Sequence, residues 1–123
     1  MMDFGKDYER KSIAAGTQVF KAGDEADEAY VVLSGEVEIS TQNSKNERIL
    51  LTTVTRGEMF GELALMSRGG KRSADSTAKT ACQVMVIKSE LLKDKLDNSD
   101  PFVRYLVRYL GARVVDLTTR IAK

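Results

Sequence analysis

Over its first hundred residues the chain sets short apolar runs between polar, glycine-bearing breaks, and it closes on one long stretch with helical spacing. Apolar runs of this length with this punctuation read as strands. Thr17 to Phe20 is a first strand, and Lys21-Ala22-Gly23-Asp24 is the turn after it. Ala29 to Ser34 and Glu36 to Thr41 flank Gly35, which suits a bulge or a tight turn. The second of these segments alternates strictly, with Val37 and Ile39 on one face and Glu36 and Glu38 on the other. Gln42 to Glu47 is a polar loop, Arg48 to Val54 a further strand and Arg56-Gly57 a further turn. Arg72 to Ala78 and Ala81 to Lys88 are two more strands around Lys79-Thr80. Strands this short and this frequent predict a mainly β fold, a roll or barrel with helices attached.

Helices are predicted outside the roll. Asp7 to Ile13 reads as a short helix ended by Gly16. Ser89 is placed to cap a helix over Glu90 to Leu96. Asp100-Pro101 is a strong helix start, because the aspartate accepts from exposed amides and proline is pre-set for the first helical position. The outline is one domain over 1–123: a β-roll over about 14–88, a short helix over about 89–97 and a C-terminal helix over about 101–122.

Val103, Val107, Leu110, Val114, Leu117 and Ile121 in that last helix recur at spacings of 4, 3, 4, 3 and 4. This is a heptad seam, with Val107, Val114 and Ile121 at a and Leu110 and Leu117 at d. β-Branched a positions with leucine at d favour parallel two-stranded pairing. The alternative is a helix that lays its apolar face on its own roll.

Composition narrows the functional classes. The chain has 123 residues with a net charge of +1, so no basic field points to nucleic acid. No apolar run marks a signal peptide or a membrane span. Cys82 stands alone, which excludes an internal disulfide and suits a reducing cytoplasm. There are 0 histidines, which removes a histidine triad, a histidine general base and a histidine-ligated metal site. No catalytic residue, metal or cofactor is expected, and a cupin-type enzyme, which needs histidine ligands, is disfavoured.

The segment Phe60 to Ala78, FGELALMSRGGKRSADSTA, carries the chemistry. Gly61 follows a strand, and Glu62-Leu63-Ala64-Leu65 opens a short helical turn whose exposed amides point outward. Gly61 lets backbone approach a ligand closely. Arg72 offers a planar fork suited to phosphate oxygens, and Ser73 adds a hydroxyl. Glu62 would repel a phosphate but is a strong acceptor for a sugar hydroxyl. The loop Ser67-Arg68-Gly69-Gly70-Lys71 between them reads as solvated. Phosphate donors and a ribose acceptor in one cassette are what a nucleotide demands.

At Gly61-Glu62-Leu63-Ala64-Leu65 and Arg72-Ser73-Ala74 the chain resembles the cyclic nucleotide-binding domains of the catabolite activator protein and of protein kinase A regulatory subunits. The spacing from Glu62 to Arg72 is that of the bacterial catabolite activator sensor domain. The likeness extends to Phe20-Lys21-Ala22-Gly23-Asp24, to Tyr30 through Gly35 and to the AKTAC stretch, Ala78 to Cys82. It implies a β-roll with a lid helix, and a regulatory sensor that binds a 3′,5′-cyclic nucleotide, foremost cyclic AMP, with cyclic GMP the second candidate. It implies that Glu62 holds the ribose 2′-hydroxyl, and that Arg72, Ser73 and the amides near Leu63 and Ala64 hold the cyclic phosphate. Leu51, Thr52 and Val54 match pocket-lining positions, and Thr118 and Thr119 match lid-helix positions that contact the adenine. The family's lid-helix arginine has no counterpart, since Val114 falls there with Arg113 beside it. The same helix is the dimer axis in the catabolite activator protein, so a homodimer is expected. The helix-turn-helix domain that follows it there is not within this chain, so no nucleic acid partner is expected, and the lack of a long apolar run leaves no membrane partner expected either. Two alternatives stay open: a degenerate roll that serves only as a protein-interaction module, and a sensor fragment of a larger regulator.

Overall fold

The computed structural model describes residues 8–66 and 70–121. Along the chain it forms β1 (Glu9–Ile13), β2 (Gln18–Phe20), β3 (Glu28–Ser34), β4 (Val37–Gln42), β5 (Arg48–Val54), β6 (Met59–Phe60), α1 (Glu62–Met66), β7 (Asp75–Ala78), β8 (Cys82–Lys88), α2 (Ser89–Asp97) and α3 (Pro101–Ile121). Two 4-stranded antiparallel sheets, ordered β1-β8-β3-β6 and β2-β7-β4-β5, make the β-roll that the strand spacing predicts.

The strands β3 and β8 lack strict alternation because both of their faces are covered. Tyr30, Val32, Val84 and Val86 point into a core with Ile13, Val37, Val54, Phe60, Ala78 and Cys82. Ala29, Val31, Met85 and Ile87 point the other way, under Leu65 of α1 and Leu92 of α2. The alternating β4 instead faces the core with Val37 and Ile39. Gly35 joins β3 to β4 at φ +91°, and a Cβ there would strike the backbone carbonyl of Ala81. The tight turn predicted at this position therefore admits only glycine.

Three expectations change. Residues 9–13 are not helical: β1 pairs with β8 in the register Glu9↔Val86 to Ile13↔Cys82. Four of its five residues are exposed, so the strand is held by ladder hydrogen bonds, and its side chains carry no apolar period. The predicted strand over Arg72 to Ala78 begins only at Asp75, which leaves Arg72 and Ser73 in the irregular segment before it. Ser89 does not cap α2. Lys88 occupies the cap position with extended backbone and no side-chain bond, and Ser89 opens the helix with its N–H donated to the Asp27 carbonyl at 2.8 Å.

The Asp100-Pro101 start of α3 is as read, with Phe102 N–H donating to Asp100 Oδ1 at 2.8 Å. The helix packs against α1, presenting the half-buried Arg104, Val107, Gly111 and Val115. Four of the predicted seam residues, Val103, Leu110, Val114 and Leu117, are instead exposed, and Phe102, Tyr105, Leu106 and Tyr109 widen the apolar face. Val107 is the one half-buried residue among the described seam positions, and Val114, though exposed, reaches a cavity that α1 also lines. Ile121's side chain lies outside the described residues. Among the described residues, no helix is long and apolar enough to cross a membrane.

Candidate functional site

A cavity of about 230 Å³ lies between the second sheet, β6 of the first sheet, α1 and α3. It is lined by Phe20, Ile39, Leu51, Thr52, Val54, Met59, Phe60, Gly61, Glu62, Leu63, Ala64, Arg72, Ser73, Ala74 and Val114. Nine residues assigned from sequence thus meet around one space: Leu51, Thr52, Val54, Gly61, Glu62, Leu63, Ala64, Arg72 and Ser73. The backbone of α3 runs through positions 118 and 119, but the side chains of Thr118 and Thr119 lie outside the described residues.

Arg72 organises the site. The turn predicted at residues 21–24 clamps its backbone: Gly23 N–H donates to the Arg72 carbonyl at 2.9 Å, and Arg72 N–H donates to the Asp24 carbonyl at 2.8 Å. Its guanidinium turns inward and is only 5% exposed as a residue. Nη1 donates to the Gly61 carbonyl at 2.8 Å and Nη2 to the Glu28 carbonyl at 2.7 Å. Its Cζ lies over the Phe20 ring, 4.0 Å from the ring centroid. Nε is buried and has no hydrogen-bond partner. Burial presses the guanidinium's pKa down, opposed by Tyr30 and by the carboxylates of Asp27, Glu28 and Asp24; an arginine nevertheless stays charged in protein. A buried cation with an unpaired N–H is costly unless an anion completes it. The donor set fits a phosphate.

Glu62 opens α1, half-buried on the cavity wall. Burial raises its carboxyl pKa above the usual value, and the bond from its own amide only partly offsets this. A carboxylate in this position is a strong acceptor, and among the described residues it forms no ion pair, which suits a neutral hydroxyl donor. Gly61 separates the two groups at φ +81°. The remaining walls, Ile39, Leu51, Val54, Met59, Phe60, Leu63 and Val114, are apolar and suit a flat base.

Behind the guanidinium stands an aromatic stack. Tyr30 and Phe60 lie 4.9 Å apart, and Phe20 lies 6.4 Å from Tyr30 and 6.0 Å from Phe60. Tyr30 Oη donates to Glu28 Oε1 at 2.6 Å. Burial, followed by that bond, pushes the Tyr30 pKa well above the ordinary phenol value. Sequence reasoning did not pick out Phe20, Ile39, Met59, Phe60 or Ala74 as lining residues, because each reads equally well as core. Val114 reads from sequence as a seam residue and as a replacement for an arginine, and not as part of the wall.

Such a roll, with a buried arginine whose Nε is unpartnered and a half-buried carboxylate on one cavity, is a binding domain whose donor set fits a small phosphorylated ligand. The comparisons narrow the class. Residues 10–99 match the family described as cyclic nucleotide-binding domain, and the chain belongs to that family. It is 26% identical over 107 residues to the cAMP-activated global transcriptional regulator CRP of Haemophilus influenzae, covering 87% of this chain and 48% of that protein. It is 27% identical over 119 residues to the CRP-like protein Clp of Xanthomonas campestris, covering 93% of this chain and 52% of the relative. The chain therefore spans about half the length of these relatives. Among solved structures, it resembles the cAMP-bound EAL enzyme Bd1971 at a TM-score of 0.83 and 28% identity, covering 93% of this chain and 30% of that one. It also resembles cAMP-bound PfPKA-R at a TM-score of 0.67 and 28% identity, covering 82% and 43% respectively.

Proposed function

We propose that this chain is a regulatory sensor domain that binds a 3′,5′-cyclic nucleotide, with cyclic AMP preferred over cyclic GMP, and that it performs no chemistry on it. The observation that carries this is the buried Arg72 guanidinium, whose Nε–H has no partner, on the same cavity as Glu62. The cyclic phosphate takes the arginine's free donors and the Ser73 hydroxyl. The ribose 2′-hydroxyl donates to Glu62, and the base lies on the apolar wall toward Val114. The preference for adenine rests on the likeness of Thr118 and Thr119 to adenine-contacting lid positions. It is modest, because a threonine hydroxyl can accept from an amino group or donate to a carbonyl. Solved relatives support either ligand, since Bd1971 is known in cAMP-bound and cGMP-bound forms. The non-catalytic reading is supported by the absence of histidine from the sequence.

The exposed seam of α3 supports a homodimer. Phe102, Val103, Leu106, Leu110, Val114 and Leu117 leave an apolar strip on one helix that a second copy would cover. The helix that bears this strip also lends Val114 to the cavity, so ligand and dimer share one element. The test is a calorimetric titration of the chain with cyclic AMP, cyclic GMP and linear AMP. Both cyclic ligands bind, cyclic AMP more tightly, and linear AMP much more weakly. Heat from none of the three contradicts the proposal and favours a protein-interaction module.

A further inference from the structure

We propose that Phe20 is a positioning residue for phosphate recognition: its ring fixes the plane of the Arg72 guanidinium, so that the donors left over by the two backbone carbonyls are presented to the ligand. This rests on the cyclic-nucleotide reading of the cavity. A guanidinium has five N–H donors in a fixed fork. The carbonyls of Gly61 and Glu28 take one from Nη1 and one from Nη2. Those two bonds hold one edge of the fork but leave it free to tilt about the line between the two terminal nitrogens. The Phe20 ring, 4.0 Å from Cζ, removes that tilt. A cation over an aromatic face is favoured by the ring quadrupole, the more so where water is excluded, as it is around this residue.

The ring is itself held. Phe20 stacks on Tyr30 at an interplanar angle of 22°, and Tyr30 stacks on Phe60 at 24°. The Tyr30 hydroxyl is fixed to the Glu28 carboxylate, and the carbonyl of that same Glu28 receives Nη2. Arg72, Phe20, Tyr30 and Glu28 thus form a closed circuit in which each member fixes the next. Gly61 completes it from the far side, since a Cβ there would lie 2.9 Å from Nη1 and 3.1 Å from the Phe20 ring. Arg72 is therefore set before ligand arrives, which reduces the ordering cost of binding.

Phe20 also lines the cavity, so a plain wall must be told apart from a positioning residue. The experiment is a calorimetric double-mutant cycle with cyclic AMP, using Phe20→Leu and Phe20→Tyr in the natural chain and in Arg72→Gln. In the natural chain, Phe20→Leu weakens binding about 3- to 30-fold, and Phe20→Tyr, which keeps the π face, stays within about 2-fold. In Arg72→Gln, which has no cation to stack, Phe20→Leu costs less than about 2-fold. Equal losses in both backgrounds, or no loss in either, overturn the proposal. A second readout does not depend on affinity. In the ligand-free protein the Arg72 Hε resonance is displaced by the ring current of Phe20, and the displacement disappears in Phe20→Leu but survives in Phe20→Tyr. An Hε shift indifferent to Phe20→Leu overturns the proposal as well. Should Phe20→Leu not fold, Phe20→Met keeps the volume without the ring and carries both measurements. A natural chain that binds no cyclic AMP refutes the reading of the cavity. One that binds through Arg72 and is indifferent to Phe20 refutes only this proposal.

Discussion

Arg72 Nη1 lies 2.8 Å from the Gly61 carbonyl oxygen, and a Cβ built on Gly61 would lie 2.9 Å from that same nitrogen. The arginine that lines the cavity and the glycine that immediately precedes the cassette helix are thus fitted to one another. The glycine supplies the acceptor and leaves the room, and it does so at φ +81°, where a side chain is strained.

Gly61→Ala is expected to push the guanidinium and Phe20 apart and to add about 1–2 kcal/mol of backbone strain. The measurement is the affinity for cyclic AMP beside the melting temperature. Affinity falls by about tenfold or more, and the melting temperature drops by several degrees. A variant as tight and as stable as the natural chain would show that the contact does not matter.

Glu62→Gln separates sugar recognition from stability. A charge-assisted acceptor is replaced by a neutral one, so cyclic AMP binding weakens by about 10- to 100-fold. The 2′-deoxy ligand, with no hydroxyl to donate, distinguishes Glu62 from a general electrostatic role by losing little. Stability moves the other way. Burial raises the Glu62 pKa above its value in the unfolded chain, so its contribution to folding is intact at pH below the unfolded value and is lost as pH rises through the folded one. Ligand-free Glu62→Gln therefore melts higher than the natural chain at pH 7, and the gap closes as the pH falls toward 4. A variant that melts lower at pH 7 contradicts this.

The seam of α3 makes a third prediction. Leu110 is 52% exposed at a d position and touches no core cluster. Leu110→Glu should leave the melting behaviour of the roll intact and convert a dimer to a monomer by sedimentation. A natural chain that sediments as a monomer at the highest attainable concentration removes the dimer from the account.

Most of the architecture was legible in sequence because it follows from residue chemistry over short distances. Arg48 to Val54 was delimited to the residue, and the Asp100-Pro101 start came directly from capping rules. The failures share a cause. In β1 the ladder hydrogen bonds to β8 hold a run whose side chains face water except for Ile13, so little in ERKSI announces a strand. Ser89 has the chemistry of a cap, but the helix begins one residue too early, at Ser89 itself, which leaves Lys88 in the cap position. At the site, Glu62 and Arg72 declared themselves because charges in a glycine-marked cassette are conspicuous. Phe20 did not, because an aromatic in a strand usually means core, and only the folded arrangement brings its ring against a residue 52 positions away.

The central claim is that a cyclic phosphate completes the buried Arg72, and calorimetric titration of cyclic AMP into Arg72→Ala beside the natural chain tests it most directly. Loss of a charge-assisted, water-excluded contact costs about 2–4 kcal/mol, so affinity should fall by about 30- to 1,000-fold while the variant remains folded. An Arg72→Ala protein that binds cyclic AMP as tightly as the natural chain would contradict the account.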